Sequence, residues 1–162
     1  MKLNDVLDLD PFSFAQYGAY VMQDDILFEY FTVREALNFA AKLKLNVTEA
    51  ESNERINQIM EELGLLGCQS TEIGSEMRKT ISGGERKRTA IAVELITDPS
   101  FIVLDEPTSG LDSFKATGIV STLHKLAKTR GKTIISTIHS PSSEAFNYFD
   151  KLLLMADGHI VF

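Results

Sequence analysis

The sequence predicts an α/β fold, a parallel sheet interrupted by a mainly helical insertion. Three observations carry this. Short apolar or β-branched runs of strand length alternate with helical periodicity in the C-terminal half. The run Phe101 to Leu104 ends in Asp105-Glu106, as a buried parallel strand ends at the ligand-binding edge of its sheet. Residues 33–99, by contrast, carry repeated helix-start signals and mainly helical spacing.

The elements follow in chain order. Tyr17 to Gln23 is a short apolar run that stops at Asp24-Asp25 and reads as a strand. Thr32 with Glu35 forms a capping box. It opens a helix with Val33, Ala36, Leu37, Ala40, Ala41 and Lys44 at helical spacing. Thr48 with Glu51 repeats the device. The helix it opens places Ile56, Ile59, Met60 and Leu63 on one face and ends near Gly64. Ser82 with Glu85 opens a third helix, through Ile91, Leu95 and Ile96, that stops before Pro99. Phe101 to Leu104 is a strand bounded by Pro99 and Pro107. Asp112 or Ser113 caps a helix running to about Thr129, and Lys132 to Ile138 is a β-branched strand. Ser140-Pro141 starts a short helix, with proline in the tolerated first position. Lys151 to Ala156 and His159 to Phe162 form two strands around Asp157-Gly158, a strong hairpin signal.

Composition narrows the function classes. A chain of 162 residues fits one domain with a real core. The net charge is -7, from 23 acids against 16 Lys and Arg, which argues against nucleic acid or anionic lipid as partners. The basic residues Arg78, Lys79, Arg86, Lys87 and Arg88 are expected to be mostly solvated. Cys68 is the single cysteine, so no internal disulfide forms; it reads as a small buried hydrophobe rather than a reactive thiol. The longest apolar runs, such as Leu152 to Ala156, fall far short of the ~20 residues that span a bilayer. Residues 1–12 lack the basic n-region of a signal peptide.

The chemistry concentrates in two strings. FIVLDEPTSGLD runs from Phe101 to Asp112. At the end of its strand, Asp105 can hold Mg²⁺ beside substrate phosphates, and Glu106 can polarise an attacking water. ISGGERKR runs from Ile81 to Arg88. There Ser82, Gly83 and Gly84 open a helix whose free N–H groups and dipole favour an anion, and glycine lets a phosphate approach the backbone. His139 follows an apolar strand, where a neutral imidazole can reach a phosphate or orient water. His124 is expected on a solvated helix face and His159 in the hairpin turn. Gln23 ends the first strand. The phosphate-cradling pattern G-x-x-x-x-G-K-[ST] does not occur; Lys79-Thr80, for one, follows Arg78 where glycine is required.

Read together, these strings resemble the nucleotide-binding domain of ABC transporters, most closely the G (White/eye-pigment) subfamily. YVMQDDILF with TVREALNFAAKLKL resembles that subfamily's Q-loop and first helical segment. ISGGERKR resembles its signature, with Glu85 and a basic run where generic members have Gln. The strings cover about residue 16 to the end. The resemblance implies an incomplete P-loop NTPase (RecA-like) core, formed by residues 1–32 and 100–162, with residues 33–99 as an inserted helical subdomain that carries the signature. It implies ATP and Mg²⁺ as cofactors. Gln23 is then the Q-loop glutamine, which senses Mg²⁺ and the transmembrane partner, and Asp105 supports Mg²⁺. Ser82, Gly83, Gly84 and Glu85 form the signature facing the ATP of an opposite subunit. Glu106 is the catalytic carboxylate, Ser109 to Asp112 the D-loop, and His139 the switch histidine.

The implied partners are a second ABC ATPase domain, in a homo- or heterodimer, and a transmembrane domain, with no nucleic acid. The implied location is the cytoplasmic face of a membrane. The implied activity is ATP hydrolysis coupled to transport of lipid or other hydrophobic substrates. The subfamily's N-terminal sheet and Walker A loop have no counterpart in these strings. The chain is therefore expected to be a fragment or a truncated product, inactive alone. Two other readings remain. One is a non-catalytic module lending signature and D-loop to a partner. The other is a soluble ABC-type ATPase of DNA repair or translation, against which TVREAL and GGERKR argue.

Overall fold

Helix starts dictated by short polar motifs set the first half of the molecule. The computed structural model describes residues 2–3, 7–8, 10, 14, 16–75, 78 and 80–161. Within them, strands β1 (Lys2–Leu3) and β2 (Leu7–Asp8) pair antiparallel. Helices α1 (Val33–Lys44), α2 (Glu49–Glu62) and α3 (Gly83–Leu95) each begin with a complete capping box. In each, the hydroxyl of Thr32, Thr48 or Ser82 accepts the N–H three residues on, and the glutamate there accepts the cap N–H at 2.8 Å. Val33, Ala36, Leu37, Ala40 and Ala41 of α1 are buried, as their spacing requires. Lys44 reaches the rim of that face and pairs with Glu94 at 2.9 Å. In α2, Ile56, Ile59 and Met60 face the same core, and Gly64 ends the turn at φ +64, where glycine costs least. Arg55 then donates to Leu95 O at 3.0 Å, satisfying a terminal carbonyl of α3.

The second half is a parallel sheet. Strands β3 (Gly18–Val21), β4 (Phe101–Leu104) and β5 (Thr133–Ser136) lie in the order β3-β4-β5, with β4 central. The register sets Val21 beside Leu104 and Leu104 beside Ser136. The strands expected over Tyr17 to Gln23 and Lys132 to Ile138 are shorter than that, because the turn at Asp105-Glu106 ends the central strand and its neighbours lose their ladder. Phe101, Ile102 and Leu104 are buried, and α3 packs against β3.

Helix α4 (Ser113–Arg130) is capped by Asp112, whose carboxylate accepts Lys115 N–H at 3.0 Å, and closes at left-handed Gly131. The short helix α5 (Ser143–Phe146) corrects the expected start at Ser140-Pro141. Ser140 sits at φ +46, incompatible with the extended conformation of a cap, and Ser142 caps instead. Strands β6 (Met155–Ala156) and β7 (His159–Ile160) make the hairpin around Asp157-Gly158, both at positive φ. They are shorter than expected, although Val161 N–H still reaches Leu154 O at 2.8 Å. Phe162 lies outside the described residues.

Two further expectations change. His124 is half-buried, with Nδ1 2.8 Å from Tyr148 O, so it ties α4 to the segment after α5 rather than facing water. His159 is an exposed strand residue beside the turn. The basic run is less solvated than expected: Arg86 donates to Gly74 O, Arg78 pairs with Glu72, and Lys87 is buried. These side chains answer carbonyls and carboxylates. Lys79 lies outside the described residues. Cys68 is buried, as expected, and burial followed by the nearby Glu85 charge pushes its thiol up.

Candidate functional site

The sheet register delivers the polar residues to one edge. Asp105 N–H donates to Val21 O at 2.9 Å and Thr137 N–H to Leu104 O at 3.1 Å. The three strands therefore end level, and the residues just past them meet. Thr137 Oγ1 donates to Asp105 Oδ1 at 2.8 Å and accepts Glu106 N–H at 2.9 Å. Tyr20 OH donates to Asp105 Oδ2 at 3.3 Å. Partial loss of solvent, then the Asp105 charge, holds the Tyr20 phenol above its usual value. Across the gap Gln23 Nε2 donates to Glu106 Oε2 at 3.0 Å and lies 3.4 Å from Ser109 Oγ. Glu106 adopts φ +40, a left-handed conformation uncommon outside glycine. His139 lines one cleft with Glu106, Thr108, Ser109 and Gly110. Gln23, Asp105, Glu106, Ser109 and His139 are thus brought together.

The signature residues form a second group. Ser82 caps α3, and Glu85 is folded back on it, accepting from Ser82 N–H at 2.8 Å and from Ser82 Oγ at 2.7 Å. Those hydrogen bonds hold the Glu85 carboxyl below the ordinary range. Gly83 is exposed, and a Cβ there would stand 3.3 Å from Leu111 Cδ2, so glycine keeps this helix end close to the Ser109 to Asp112 loop. Gly84 is buried near Lys115. Asp112 caps α4 and pairs with Lys115 at 2.6 Å, which lowers its pKa. Among the described residues no hydrogen bond joins 82–85 to Asp105, Glu106 or His139.

Among the described residues no three His, Cys, Asp or Glu side chains converge as a metal cage. Asp105 instead presents a half-buried carboxylate, each of whose oxygens accepts a single hydrogen bond. That donor set fits Mg²⁺, which takes one or two protein ligands and completes its octahedron with water and phosphate oxygens.

Three contributors escaped the sequence reading. Thr137 and Tyr20 contact Asp105 through neighbouring strands, and only the strand register reveals them. Lys87 was set among solvated basics. Its place one turn into a buried helix was the available signal.

The comparisons with known proteins bear on the family and the fold. A family model described as "ABC transporter" matches residues 5–109, beginning upstream of the strings that carry the resemblance. The bovine "Broad substrate specificity ATP-binding cassette transporter ABCG2" is 47% identical over 154 residues, 94% of this chain and 23% of that protein. "Protein white" of Ceratitis capitata is 50% identical over 147 residues, 89% of this chain and 22% of that protein. "ABC transporter G family member 26" of Arabidopsis thaliana is 50% identical, covering 88% of this chain and 21% of that protein. The chain thus spans less than a quarter of the length of these relatives. Among solved structures, cbiO1 from Clostridium perfringens, part of the ABC transporter complex cbiONQ, superposes with a TM-score of 0.79 at 27% identity. The match covers 93% of this chain and 58% of that one.

Proposed function

Because the chain belongs to the ABC transporter family, with its relatives in the ABCG and White group, we propose that these residues form the Mg²⁺ and water side of an ATP-hydrolysing site in a transporter. The observation that carries this is the bonded group at the sheet edge, Gln23–Glu106 and Thr137–Asp105. Asp105, with Gln23, would hold Mg²⁺, which when bound neutralises charge on the phosphates. Glu106 accepts a proton from the attacking water while Gln23, itself bonded to Ser109 Oγ, fixes its carboxylate. His139 faces the same cleft and steadies the terminal phosphate. Catalysis of this kind is mostly positioning and electrostatics.

Gly83 and Gly84, behind the cap residue Ser82, have helix-end N–H groups free for an anion not supplied by their own Asp105 group. We read them as serving the nucleotide of an opposing domain, with Ser109 to Asp112 crossing between the two. Residues 33–99 act as a helical subdomain, and residues 1–32 with 100–162 as the core. The parent machine lies at the cytoplasmic face of a membrane, joined to a transmembrane domain, and moves lipid or other hydrophobic substrates. Among the described residues no helix is long and apolar enough to cross a membrane. These 162 residues contain no G-x-x-x-x-G-K-[ST], so the purified chain does not hydrolyse ATP unaided.

The test is a chimera in which this sequence replaces the matched segment of the bovine relative. ATP turnover should persist. Glu106→Gln in the chimera should cut it by about 10²–10⁴-fold, as loss of a general base does, with nucleotide binding intact. A folded chimera without turnover, or a Glu106→Gln variant with full turnover, would overturn the reading.

A further inference from the structure

A buried charge stands apart from the carboxylates. Lys87 lies one turn into α3 and is only 3% exposed. An ammonium removed from water needs partners, and two are present. Its Nζ donates to the backbone carbonyl of Gln23 at 2.8 Å and stands 2.6 Å from Asp25 Oδ1. Both partners belong to the segment just past β3, where the ladder has stopped: Val21 O makes the last strand bond, to Asp105 N–H. Gln23 itself is exposed. Its backbone is therefore tethered by Lys87, and its side chain by Glu106 and Ser109. An apolar residue would fill the same space in α3 without the desolvation of a charge. Packing alone does not account for a lysine here.

The geometry points to Lys87 as a positioning residue: through the Gln23 carbonyl and Asp25 it hangs the glutamine from the signature helix, so that Ser82-Gly83-Gly84 and Gln23 move as one body. The role of Gln23 at the site rests on the function proposed above; the tether does not. A rotation of α3 would carry Gln23 away from Glu106, so the two halves of the site would disengage together. Replacing Lys87 would uncouple them while leaving both groups of side chains in place.

The experiment is ¹⁵N relaxation on the 162-residue chain with Lys87→Met. In the parent the Gln23 to Asp25 amides should be as rigid as the helices, with order parameters of about 0.85. In Lys87→Met they should fall below about 0.6, the flexible range, while the amides of α1 keep their values. Unchanged order at Gln23 to Asp25 would overturn the tether. So would a uniform loosening that includes α1, because Lys87 would then only pack the core. Lys87→Met leaves Asp25 unpaired and could fail to fold, so Asp25→Asn/Lys87→Met, which removes both charges, is the second variant. It should show the same local loss of order, because the Gln23 carbonyl still lacks its donor; native order there would overturn the proposal. No nucleotide enters the measurement. A chimera without turnover would count against the function alone, and native order beside normal turnover against the tether alone.

Discussion

Asp105 and Glu106 are adjacent carboxylates with different partners, and the backbone separates them. Asp105 N–H is still in the ladder, and its carboxylate is held between Thr137 and Tyr20. Glu106 turns at φ +40, which swings its side chain to Gln23, and the Thr137 hydroxyl takes its N–H. A strained non-glycine residue in a cleft is a reasonable place to look for function. The separation predicts separable losses. In the chimera, Asp105→Asn should weaken Mg²⁺-dependent nucleotide affinity itself, because the anionic oxygen that suits the cation is gone. Nucleotide titrations across a Mg²⁺ series check this; a parent-like Mg²⁺ dependence would contradict the assignment. It is the full string LDEPTSGLD that singles out both carboxylates. It could not yield Thr137, whose contact depends on β5 lying beside β4 in the register that puts Ser136 against Leu104.

At the scale of elements, three helices start with the same reciprocal cap, and its glutamates are titratable. Hydrogen bonds from the cap residue hold the Glu35, Glu51 and Glu85 carboxyls below the ordinary range. A carboxyl lowered in the folded state releases its proton more readily there than in the unfolded chain. Its stabilisation is therefore complete above the unfolded value, about 4.3, and is lost as pH falls through the lower folded value. Glu35→Gln/Glu51→Gln keeps an acceptor for each cap N–H but removes the titration. Thermal melts from pH 3 to 7 should show a flatter acid limb for this double variant than for the parent; identical limbs would rule out the linkage. These caps were legible because each is a contact within four residues. Strand ends were less so, because pairing stops where the neighbour stops. The start of α5 was displaced by the positive φ of Ser140, which no local pattern announced.

On the scale of the whole molecule, alternating strands and helices sufficed to foresee the parallel sheet and its polar edge. Long-range polar contacts did not follow from the sequence. The buried reach of Lys87 to Gln23 joins residues 64 apart, and its chemistry is that of any surface lysine until the fold places it. The same division of labour governs nucleotide affinity. The groups at the sheet edge are side chains of a kind suited to a cation and a water: two carboxylates, one amide and one imidazole. Tight binding of a triphosphate draws on a run of backbone N–H groups and a lysine aimed at the β- and γ-phosphates. No segment of these 162 residues has the pattern that builds such a loop. The free N–H groups at Gly83 and Gly84 do not substitute, since among the described residues no hydrogen bond joins their helix end to the Asp105 group. The purified chain should therefore bind Mg-ATP weakly. Isothermal calorimetry on the parent chain checks this directly: heats too small to fit a micromolar constant are expected. Saturable binding near 1 μM, about -8 kcal/mol, would mean that these residues alone grip the phosphates.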